Sequence, residues 1–148
     1  MAIASVNLPL GPWSFPINKV ARVGDLEVSL LSLSVVGDVL RVAGVISVRH
    51  RLDLRLDRLP ELRLSSQDGP PLAPLGAHLL PQAGTLWTQW LFERPTHLPA
   101  AYVAGISQID LAYRAGGLRD GERLGPITFE FRIDRDAPHA ATADGDRG

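Results

Sequence analysis

The feature that most constrains the fold is a two-residue period in the stretch "GDLEVSLLSLSVVGDVLRVAGVISVRH", residues 24–50. Apolar side chains fall at Leu26, Val28 and Leu30, shift phase to Leu31, Leu33 and Val35, then resume at Leu40, Val42, Gly44, Ile46 and Val48. A period of two is that of a strand with one face in a core and the other toward water. Two strands therefore flank Gly37-Asp38, a two-residue hairpin signal, and the phase shift at Leu30 and Leu31 calls for a β-bulge.

The same period recurs. In "GTLWTQWLFERP" alternate residues share a face, so Leu86, Thr88, Trp90 and Phe92 form the core side, with Trp87, Gln89 and Leu91 behind them. The two tryptophans point in opposite directions: Trp90 is expected in the core and Trp87 on the outer face. "ITFEFRI" turns Ile127, Phe129, Phe131 and Ile133 inward and Thr128, Glu130 and Arg132 outward. Ile109, Leu111 and Tyr113 suggest another strand, followed by a loop with a turn at Asp120-Gly121.

Other segments read less cleanly. Leu52, Leu54 and Leu56 alternate with Arg51, Asp53, Arg55 and Asp57 as a strand with a charged outer face; a short helix around Leu52, Leu56 and Leu59, stopped by Pro60, is the rival. Residues 65–84 are dense in Gly and Pro and read as a long loop, and "ERPTHLPAAYVAG" reads as a Pro-rich connection. Residues 1–19 are expected to be an extended N-terminal segment, 20–134 the folded domain and 135–148 a disordered tail with no large apolar residue to bury.

Short strands, frequent turn signals and no long helical pattern imply an all-β fold, a two-sheet antiparallel sandwich of immunoglobulin-like type with about seven strands. The hairpin at Gly37-Asp38, the Asp68-Gly69 loop, the aromatic strand running into "FERP" and the closing "ITFEFRI" resemble the telokin-like, immunoglobulin-like domains of bacteria over roughly Val20 to Ile133. The resemblance implies a β-sandwich and brings no catalytic residues with it.

Composition narrows the function classes. Fifteen basic residues against sixteen acidic ones give a net charge of −1, so nothing draws the chain toward nucleic acid or an anionic membrane. The longest uncharged apolar run, Val28 to Val36, is about half a membrane span, and the start carries Pro9, Pro12 and Pro16 where a signal helix would need continuity. A soluble, cytoplasmic protein without membrane insertion is the expectation. The absence of cysteine excludes disulfide and zinc-thiolate chemistry.

The search for catalysis ends without a motif. His50, His78, His97 and His139 stand apart, without a second histidine at metal-ligand spacing, so no metal site or cofactor is expected. A triad assembled from loops, such as Ser65, His97 and Asp120, would leave no local signature. Asp134 and Asp136, separated by an arginine, read as solvated rather than calcium-binding. In "RHRLDLRLDR" the interleaved aspartates neutralise the arginines, which makes a self-paired sheet face.

More informative are apolar residues in a solvent position. Opposite Leu40, Val42 and Ile46 stand Val39, Ala43 and Val45, where a water-facing sheet would carry Thr, Lys or Glu. With Trp87 and its neighbour Gln89 also outward, part of one sheet's outer face is apolar, and such a patch marks either a partner interface or the bed of a covering loop. Residues 65–84, or the N-terminal "LPLGPWSFP" with Trp13 and Phe15, could supply that cover. A non-catalytic interaction or assembly module, binding a protein partner or itself, follows as the first reading. A small-ligand or carbohydrate binder using Trp87 as a stacking platform is the alternative, and a loop-built hydrolase the third.

Overall fold

The computed structural model describes residues 13–24, 26–48, 55–56, 60–82, 85–107, 109–115, 118–134 and 139–140, and every regular element among these described residues is a strand. In chain order these are β1 (Trp13–Val23), β2 (Leu26–Val36), β3 (Val39–Val48), β4 (Arg55–Leu56), β5 (Leu62–Ser66), β6 (Pro74–Gln82), β7 (Thr85–Glu93), β8 (Ala101–Ile106), β9 (Ile109–Ala115), β10 (Leu118–Leu124), β11 (Ile127–Arg132) and β12 (His139–Ala140). The first sheet has the order β1-β2-β3-β7-β6, with β12 added outside β1, and the second has the order β11-β8-β5. A third, smaller sheet has the order β10-β9-β4, and all pairings are antiparallel, so the expected all-β fold with two sheets packed as a sandwich is the architecture.

The β2–β3 hairpin forms as its period demands. Val36 pairs with Val39, which leaves Gly37-Asp38 as the two-residue link, and Gly37 takes φ +60° as the first central position of a type II′ turn requires. The register slips between Leu30 and Ser32, so Leu31 is the bulged residue and Leu26, Val28, Leu30, Leu33 and Val35 all reach the core fully buried. Arg94 secures the turn from outside, its backbone N–H donating to the Asp38 carbonyl at 3.0 Å and its Nη1 to the Gly37 carbonyl at 3.3 Å.

Between the sheets, Phe15, Leu40, Val42, Ile46, Leu86, Trp90 and Phe92 meet Leu64, Tyr102, Ile106, Ile127, Phe129 and Phe131. Tyr102 stacks on Phe131 with ring centres 5.2 Å apart and planes 11° from parallel. Trp90 is the inward tryptophan, 2% exposed, and its indole N–H donates to the buried carbonyl of Pro60 at 3.0 Å. Room for its ring comes from Gly44. A Cβ there would stand 2.9 Å from Trp90 Cζ3 and 2.8 Å from the backbone oxygen of Ser29.

Thr88, inward beside Trp90 and 1% exposed, holds a hydroxyl with no hydrogen-bond partner among the described residues. Thr88→Val removes that hydroxyl at nearly constant shape. It is expected to raise stability by up to about 1 kcal/mol, read as a higher urea midpoint. A lower midpoint would show that the hydroxyl contributes a bond.

Several boundaries need correction. Residues 13–19 belong to β1 rather than to an extended leader: prolines at the start mask the period, which the register shift between Pro16 and Lys19 restores, with Asn18 at φ 53° in the left-handed region that Asn tolerates. Residues 74–82 form β6 rather than loop, because an edge strand accommodates Pro74 and Pro81. Ala101–Ile106 is strand β8, part of what reads as connection in the sequence; small residues there dilute the apolar alternation of Tyr102, Ala104 and Ile106.

Asp120-Gly121 lies inside β10, opposite Tyr113 and Ala112, rather than at a turn. The β8–β11 ladder ends at Ile106 and Ile127 and the β9–β10 ladder at Ile109 and Leu124, with the cis Gly125-Pro126 peptide between β10 and β11. In the expected tail, His139–Ala140 pairs with Trp13–Ser14. Leu52, Leu54 and the remaining tail residues lie outside the described residues.

Candidate interaction surface

Strand register brings the outward residues of the first sheet into one cross-strand row. Val45 on β3 stands opposite Trp87 on β7, and Leu80 on β6 stands opposite Trp87 on its other side. From Val45 the row continues through Ser29 on β2 to Val20 on β1. It therefore crosses all five strands, about 19 Å at four spacings of about 4.8 Å. Three of its members are among the exposed large apolar residues: Leu80 at 59%, Val20 at 50% and Trp87 at 43%.

The flanking rows are polar apart from Ala43. Arg22, Glu27, Ser47 and Thr85 run along one side, and Ser32, Ala43, Gln89 and His78 along the other. Arg22 Nε contacts Glu27 Oε1 at 3.3 Å, so these two charges neutralise each other within the face. It is well exposed, which makes its contribution to stability small. Farther along, Ser34 is buried at 4% with its hydroxyl 3.5 Å from that of Ser14, so the face closes toward that corner.

The sequence singled out Trp87, Gln89, Val39, Ala43, Val45 and Trp13. Trp87 and Val45 are directly paired at the centre of the row, and Gln89 and Ala43 pair in the row beside it. Val39 pairs with Glu93 and Val36 near the β2–β3 turn, at the far end of the face. Trp13 does not join them: it pairs with Val35 and packs against the core on the inner side of β1. Within the two expected covers, residues 13–23 and 74–82 are themselves strands of this sheet, while residues 8–12 and 83–84 lie outside the described residues. Val20 and Leu80 were missed because membership of the row depends on cross-strand register, and β6 and the start of β1 do not read as strands in the sequence.

Behind β6 a cleft of about 960 Å³ opens between the sheets, walled by Pro60, Leu62, Leu72, Ala77, Trp90 and Ile127 with Glu61 and Arg63 among its polar lining. The Trp90 N–H, committed to Pro60, offers it no donor. Ser65 stands on β5 opposite Val103, His97 is an exposed residue of the β7–β8 connection, and the Asp120 side chain lies outside the described residues. Among the described residues no three His, Asp or Glu side chains converge as a metal site, and no helix is long and apolar enough to cross a membrane. The chain matches no protein-family model, no curated protein and no solved structure.

Proposed function

We propose that the chain is a non-catalytic protein-interaction module of immunoglobulin-like type whose working surface is the outer face of the five-stranded sheet. The observation that carries the reading is the row of exposed Val20, Trp87 and Leu80 with half-buried Val45 among them, apolar side chains aligned across a sheet face with no described segment over them. Trp87 supplies the large, rigid aromatic of the kind that dominates interface energetics. With net charge −1 and one internally paired ion pair on the face, the partner is a protein rather than nucleic acid or membrane.

Connectivity supports the immunoglobulin-like part. Taken in chain order, β2, β3, β5, β6, β7, β8 and β11 fall into the two-sheet order ABED and CFG of that class, with β1 added outside the first strand. Small-ligand binding remains the second reading: the cleft lies within the volume range of ligand pockets, and His78 joins Gln89 beside Trp87.

A photo-crosslinking amino acid placed at Gln89 of the full chain in its host cells tests the module. It is expected to capture a protein, and Leu80→Glu in the same chain is expected to abolish capture while leaving the melting temperature within about 2 °C, as for an exposed position. Capture that survives Leu80→Glu, or no capture at all, would overturn the reading.

A further inference from the structure

We infer that the partner on this face is a second copy of the same chain, packed face to face about a two-fold axis that runs parallel to β3. The inference rests on the reading of the sheet face as the working surface and adds who occupies it. Three observations carry it.

The first is the size profile of the row. From β1 to β6 it reads Val20, Ser29, Val45, Trp87, Leu80. A two-fold axis along β3 lays the row on its own reverse. Val20 then faces Leu80 of the second copy, Val45 faces itself, and the bulky Trp87 faces the small Ser29. Large meets small on both sides of the axis, which is what close packing of two flat sheets needs. An axis running along the row would instead stack Trp87 on Trp87 and leave Ser29 over Ser29.

The second is charge. The Arg22–Glu27 pair of one copy comes over the Thr85 end of the other, where nothing described carries a charge. Ser32 comes over Gln89. Of the described residues only Arg41 meets its like, two rows from the centre of the face. Self-pairing therefore meets little electrostatic opposition.

The third is the state of the edges. β6 carries Pro74 and Pro81, and β1 carries Pro16, the bulge at Asn18 and the added β12. Both edges of the five-stranded sheet are thus blunted against strand addition, while its face is left apolar. Five strands at about 4.8 Å and ten residues of β3 at about 3.3 Å give a face of about 800 Å², the per-partner area of a standard interface at full overlap. With the Ser34 corner closed, the overlap is smaller, so the dimer is weak and concentration-dependent.

Sedimentation of the purified full chain is expected to pass from monomer to dimer between about 1 and 500 μM, the range of weak interfaces. Ser29→Arg should raise the dissociation constant at least about tenfold without moving the melting temperature, because the new side chain occupies the space Trp87 enters. The absence of cysteine makes geometry testable. Val45→Cys, on the axis, should crosslink to its own copy through a short bis-maleimide. Leu80→Cys should not, being displaced roughly 19 Å laterally from its copy, but should crosslink to Val20→Cys in a mixture.

A chain monomeric throughout that range overturns the inference, as does Leu80→Cys crosslinking to itself as readily as Val45→Cys. If the chain stays monomeric while Gln89 captures another protein in a Leu80-dependent way, self-pairing fails and the module reading stands. If capture and dimerisation both ignore Leu80, the module reading fails with it.

Discussion

Trp90→Ala is expected to cost about 3–5 kcal/mol and to lower the melting temperature by roughly 10–20 °C, the largest loss of any outward or inward pair on β7. Three effects combine at this site. The ring, 2% exposed, leaves a cavity between the sheets; the buried Pro60 carbonyl loses its donor; and Gly44 loses the ring it was shaped to admit. Two further variants separate them. Trp90→Phe keeps most of the apolar volume and removes the N–H, so it isolates the Pro60 bond at about 1–3 kcal/mol. Gly44→Ala pushes a methyl into Trp90 and into the Ser29 backbone and is expected to cost about 1–3 kcal/mol. Combined with Trp90→Phe the Gly44 cost should shrink, since one of the two obstructions retreats, while the Ser29 oxygen keeps it from vanishing. Strict additivity would mean that the ring and Gly44 do not share a site. Trp87→Ala should cost under about 1 kcal/mol in the monomer, because 43% of the residue is already in water.

That contrast was legible in the sequence because it needs only local parity. Within one strand the period of two fixes which of Trp87 and Trp90 enters the core, and the burial of Leu86, Thr88, Trp90 and Phe92 follows it. The β2–β3 hairpin and its bulge were legible for the same reason. The strands that escaped are those whose residues satisfy a condition set elsewhere. β6 holds two prolines, readable as strand only once its edge position is known, and β10 is charged and glycine-bearing, held by its ladder to β9. The site divides along the same line. Val45 and Trp87 each announce themselves as apolar residues on a polar parity, whereas Val20 and Leu80 join them only through a chain of cross-strand pairings, the longest of which, Val45 with Trp87, spans 42 residues. Trp13 misled because its parity could not be counted through the prolines on either side; the register with Val35 puts it on the core side.

Phe15→Ala is expected to cost about 3–5 kcal/mol, equal to the central tryptophan, although the residue lies near the start of the chain. Phe15 is fully buried, pairs with Leu33 across β2, and belongs to the strand that packs against β11 of the second sheet. β1 is thus where the two sheets approach each other on the side opposite the cleft, and removing Phe15 opens that seam rather than trimming a margin. The matching control sits on the same strand: Val20, 50% exposed and on the outer face, should lose no more than about 0.5 kcal/mol as Val20→Ala. Parallel urea melts of the two variants measure both, and hydrogen exchange of the Leu33 and Val35 amides should rise in Phe15→Ala if the β1–β2 ladder loosens with the seam. Were Phe15→Ala to melt with the parent protein, the core would end at β2, and the five-stranded face, with Val20 at one end of its row, would shrink to four strands and fall short of the area a face-to-face pair requires.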